Sequence, residues 1–63
     1  MFIELSIEDS LGNHNNVLVN TEMIRCVFPH KDGISINYWG DELTKIYRAH
    51  NEYAVVKLAL QNA

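Results

Sequence analysis

Four side chains in this chain offer a soft ligand atom or a nucleophile: Cys26, His14, His30 and His50. None of the usual Cys and His zinc spacings occurs among them. Cys26 and His30 are four residues apart, which on an extended strand is about 13 Å, too far to share one ion. The expectation is therefore no bound metal and no cofactor, with Cys26 a buried structural thiol and the histidines in exposed loops. A Cys–His nucleophilic pair would need His50 folded beside Cys26, and a thiol packed in an apolar core is a poor nucleophile. There is no nucleophile elbow, no Gly-rich phosphate loop and no cluster of carboxylates at metal spacing. These residues describe a protein that acts by binding and is not an enzyme.

The elements that position them follow from apolar periodicity. Met1 to Glu8 alternates strictly, with Ile3, Leu5 and Ile7 on one face and Glu4, Ser6 and Glu8 on the other, the pattern of a half-buried strand. Asp9 to Asn16 is rich in turn residues, and Val17-Leu18-Val19 completes a hairpin. Ile24, Cys26 and Phe28 alternate against Arg25 and Val27, and Pro29, which cannot donate to a ladder, is expected to close that third strand. His30-Lys31-Asp32-Gly33 is a compact hairpin loop before the strand Ile34–Tyr38, and Leu43 to Arg48 is a fifth strand. Asn51 is placed to cap a terminal helix from Glu52 to about Leu60. Short connections between these elements predict a single domain, 1–63, of α+β class: a small antiparallel β-meander of four to five strands with one C-terminal helix packed on it.

At 63 residues a chain buries only about 60% of its unfolded surface. Small domains of marginal stability gain from disulfides, metals or self-association. A single cysteine excludes an internal disulfide and points to a reducing compartment. No apolar run approaches the roughly 20 residues that span a bilayer, and Met1-Phe2-Ile3-Glu4 lacks the basic start of a secretory signal, so the expected location is cytoplasmic and off the membrane. The formal charge is −3, and the basic residues Arg25, Lys31, Lys45, Arg48 and Lys57 are scattered. Backbone-driven nucleic-acid binding needs a basic patch and is disfavoured.

Several segments together resemble the FlbD-like family of small bacterial and phage proteins: an apolar first strand, Val17-Leu18-Val19-Asn20 followed by Ile24, and Val27 with Pro29. The resemblance continues through Asp32-Gly33, Ile34-Ser35-Ile36, the Gly40 turn, and a last helix with Tyr53 and Val56. The family typically has an acidic residue just after its last strand, where this chain reads Arg48-Ala49-His50. The resemblance implies a sheet-plus-helix fold, often phage-borne, with no enzymatic activity attached.

Two surfaces stand out for binding. Trp39 falls out of phase with Ile34, Ile36 and Tyr38, and so points away from the core, sharing outer parity with Phe2, Arg25, Val27 and Asn37; this set is the expected partner-binding face, Trp and Arg being hot-spot residues. On the helix, Tyr53, Val56 and Leu60 form a stripe that covers the sheet, leaving Val55, Leu58 and Ala59 as a second stripe for a homo-oligomer interface. The favoured reading is a protein-interaction module working as a homo-oligomer, with the resemblance suggesting a phage-encoded inhibitor of a host defence protein. The alternative is a small-ligand or nucleotide sponge with pockets between subunits, using Trp39, Tyr47 or Tyr53 to stack a base and Arg25 or Arg48 to hold phosphate.

Overall fold

Strict alternation in the first eight residues makes the strand it predicts. In the computed structural model, which describes residues 1–62, the chain forms β1 (Phe2–Glu8), β2 (His14–Asn20), a 3-10 turn (Thr21–Met23), β3 (Ile24–His30), β4 (Gly33–Tyr38), β5 (Tyr47–Ala49) and α1 (Tyr53–Gln61). Class and order agree with the α+β expectation, but the sheet is not a simple meander. Its strand order is β2-β1-β5-β4-β3, and all of its pairings are antiparallel. β5 returns to pair with β1 through Ile7 and Ala49, so β2 and β3, consecutive in the chain, occupy opposite edges.

That order forces the sheet to curl. The step from Asn20 to Ile24 can span at most ~14 Å, whereas the outer strands of a flat five-stranded sheet lie ~19 Å apart. The 3-10 turn therefore joins two edges that the right-handed twist has already drawn together. Its start is tied to the N-terminus, with both the amide and the hydroxyl of Thr21 donating to the Met1 carbonyl at 2.9 and 3.0 Å. Inside the curl, Leu5, Val19, Ile34, Ile36, Ala49 and Val56 are buried, and Ile3, Ile7, Ile24, Val27, Tyr38 and Leu60 pack around them. Full burial of a side chain such as Ile34 or Ile36 stabilises the fold by about 1.5–3 kcal/mol.

β3 departs from its expected faces. Ile24 pairs with Tyr38, but Cys26 pairs with Asn37 and Val27 with Ile36, so the register shifts by one residue around Arg25. A bulge of this kind turns every later side chain to the other face. Val27 consequently packs on the core, while Phe28 is exposed and Cys26, expected in the core, is only half-buried on the opposite face. Pro29 does not end the strand: β3 is an edge strand, which tolerates a residue with no amide to donate.

The ends of elements also differ. β2 begins at His14 rather than Val17 because Asp9 organises the turn: its carboxylate accepts from the amides of Leu11 and Asn13 and from the Asn15 side chain. The Asn13 amide, with those of Leu11 and the Asn15 side chain, holds the Asp9 carboxyl below its ordinary pKa. Asn51 does not cap α1; Glu52 occupies that position without a side-chain bond, and the Asn51 side chain accepts the Ser6 amide at 2.8 Å. With the His50 amide donating to the Ser6 carbonyl at 2.9 Å, the segment entering the helix is pinned to β1. On α1, Val56 is buried and Leu60 half-buried, whereas Tyr53 lies exposed at the edge of the stripe.

Gly33 opens β4 at φ +145°, and a Cβ there would stand 2.2 Å from the Ala49 carbonyl oxygen. β4 and β5 could not then hold their spacing, so Gly33→Ala is expected to lower unfolding stability by well over about 1 kcal/mol in denaturant titration.

Candidate functional site

β3 has neighbours on one side only, and α1 packs against it. Between them lies a groove of about 530 Å³, lined by Ile24, Arg25, Cys26 and Val27 of β3, by Tyr53, Lys57 and Leu60 of α1, and by Met1 and Thr21 at one end. Consecutive strand residues point to opposite faces. Four in a row lining one groove means that it runs along the strand's open edge. Its floor is apolar, from Ile24, Val27 and Leu60, and two cations, Arg25 and Lys57, lie along it with one acid, Glu22.

The wall that carries Arg25 is built on a buried amide. Asn37 is 0% exposed. Its carbonyl oxygen accepts Arg25 Nε at 2.7 Å and lies 3.9 Å from Cys26 Sγ, while its amide donates to the carbonyls of Glu42 and Lys45 at 2.9 and 2.8 Å. Arg25 also donates through Nη2 to the Asp41 carbonyl, and its guanidinium stands 5.2 Å from the centre of the Trp39 ring. One buried side chain thus holds the Glu42–Lys45 loop, the guanidinium and, through it, the indole. This is why residues 43–46, expected as strand, form a loop instead, and why β5 is short.

The expected partner face separates accordingly. Trp39, 55% exposed, and half-buried Arg25 remain together at the surface. Asn37 is inside, because the loop after β4 folds over it, and Val27 turns to the core through the bulge, so neither belongs to an outer face. Phe2 is exposed on the outside of β1, diagonal to exposed Leu18 on β2.

Tyr47, Tyr53 and Arg48, the alternative ligand set, are not brought together. Tyr47 packs against Tyr38 with ring centres 5.0 Å apart, Arg48 lies across from Ser35 on the other face, and only Tyr53 lines the groove. Burial, then the neighbouring Tyr47 and Asp41, raises the pKa of the Tyr38 hydroxyl and keeps it protonated. On the helix, Val55 and Leu58 are exposed and Ala59 is half-buried.

One cluster escaped the sequence argument. Glu8 and His14 are direct cross-strand partners in the β1–β2 hairpin, and the backbone bond from His50 to Ser6 carries His50 to the same outer face. The rings of His14 and His50 stack at 3.7 Å between centres and 26° between planes. Spacing along one strand keeps Cys26 and His30 from sharing an ion, but it does not govern His14 and His50, which meet across strands. The hairpin turn between Glu8 and His14 was the available signal.

No protein-family model matches the chain, and comparison with curated proteins and with solved structures gave no match. Among the described residues, no helix is long and apolar enough to cross a membrane.

Removing the Asn37 amide leaves the loop carbonyls and the guanidinium without their shared partner. Asn37→Ala is expected to destabilise by about 1–3 kcal/mol. Hydrogen exchange should accelerate selectively at residues 41–46; uniform acceleration would contradict the hub.

Proposed function

We propose that this chain is a non-enzymatic binding module that takes an extended protein segment along the open edge of β3, and that it works as a homo-oligomer. The observation that carries the reading is the groove itself: an unpaired strand edge beside a helix, with an apolar floor and rims that carry two cations, Arg25 and Lys57, against one acid, Glu22. Such an arrangement supports strand addition, in which main-chain hydrogen bonds supply affinity and side-chain pockets supply selectivity. Arg25 and Lys57 favour a segment with acidic side chains, and Trp39 beside Arg25 extends the contact beyond the groove. Occlusion of such a segment is how the chain would inhibit a partner, in keeping with its resemblance to small FlbD-like phage proteins. Val55 and Leu58 support self-association, since a symmetric contact through α1 buries each of them twice.

A second reading rests on one feature of the same groove. Arg25, Lys57 and Tyr53 offer two cations and a stacking ring, which suit an anionic ligand such as a nucleotide. A nucleotide that raises the melting temperature, and no longer does so in Arg25→Ala, would favour this reading over the first.

For the segment-binding reading, wild-type protein immobilised from its native host should retain a partner that protects Cys26 from alkylation. Lys57→Glu, which turns an exposed rim cation into an acid, should release that partner, whereas Val17→Ser on β2 should not. Retention unchanged by Lys57→Glu would remove the groove from the reading. For self-association, light scattering at micromolar concentration should give more than a monomer mass for the wild type and a monomer for Leu58→Glu. A monomeric wild type would refute it.

A further inference from the structure

We propose that Glu8, His14 and His50 form a site for one divalent transition-metal ion of the zinc class, on the outer face of the sheet and apart from the β3 groove. Each residue contributes one ligand atom, and these atoms lie within 4.8 Å of one another. Ligands on a tetrahedral zinc, with bonds of about 2.0–2.2 Å, are separated by ~3.3 Å. The remaining closure is a matter of side-chain rotation, and the χ2 torsion of histidine that turns each ring toward a shared ion is soft.

The backbone beneath is already set. Glu8 faces His14 in register, and the turn between them is held by the Asp9 carboxylate through Leu11, Asn13 and Asn15. His50 is held to β1 by its own amide, and the next residue, Asn51, accepts the Ser6 amide. Three ligands thus come from three strand ends fixed by hydrogen bonds that none of the ligand atoms makes. An ion would order side chains and leave the chain where it is.

The donor set selects the ion. Two imidazole nitrogens and one carboxylate oxygen suit zinc, cobalt, nickel or copper, whereas magnesium and calcium require an all-oxygen shell. His14 and His50 are exposed and Glu8 is half-buried, so the ion has an open path from solvent. Three protein ligands leave one tetrahedral position for water or for a donor from outside the chain.

The test uses untagged protein stripped with a chelator and titrated with zinc by calorimetry, with cobalt absorption reporting the coordination. One zinc per chain is expected, together with a tetrahedral cobalt spectrum and a rise in melting temperature on zinc addition. His14→Ala and His50→Ala should each weaken binding by at least about tenfold. Circular dichroism should show both variants folded, because neither ring is in the core. His30→Ala should bind as the wild type does. Absence of zinc uptake by the wild type, uptake that survives in the His14→Ala/His50→Ala double variant, or loss of uptake in His30→Ala would each overturn the assignment.

Discussion

The reach of the link between β2 and β3 constrains everything else in this fold. A 3-10 turn must join strands at opposite edges of the sheet, so the sheet cannot be flat. Once it is curled, the faces of β1, β4 and β5 enclose Leu5, Ile34, Ile36 and Ala49, and a short helix is enough to close the open side with Val56 and Leu60. The same curl leaves β3 without a strand partner on its outer side and sets α1 next to it. The groove is a product of closing a small core with too few strands to complete a barrel.

A second device acts within β3. The register shift around Arg25 exchanges the two faces of the strand for the rest of its length. Val27 enters the core, Phe28 leaves it, and Cys26 comes to lie beside Asn37 instead of beside Ile36. The bulge also frees Arg25 to reach Asn37, the Asp41 carbonyl and the Trp39 ring together. A buried polar residue is costly unless its bonds are met. Asn37 meets them with the backbone of the loop that covers it, so core burial and loop placement are one interaction.

The Glu8–His14–His50 cluster and the groove lie on different parts of the sheet and draw on different physics. Edge and helix contribute apolar surface, cations and unpaired main-chain groups along β3. Hairpin register and the return of β5 to β1 contribute three ligand-type side chains on an outer face.

Much of the framework was legible in the residues. Alternation in Phe2–Glu8 and Gly33–Tyr38 has the period of a strand, and it marked Ile3, Leu5, Ile34 and Ile36 for the core; turn residues around Gly12 and Gly33 placed the hairpins. The exposure of Trp39, Val55 and Leu58 followed from phase alone. Local periodicity cannot register a bulge, however, since the pattern on either side of Arg25 is regular and only pairing with β4 shows the slip. Nor can it say which strand β5 will join, and that pairing decides both the curl and the meeting of His50 with His14. Asn37 reads as an outward polar residue until the loop 41–46 is folded over it, because burial of a polar group depends on what covers it. Short-range order resides in the spacing of residue types, whereas the groove and the histidine cluster arise from contacts between segments distant in sequence, which only the tertiary structure decides.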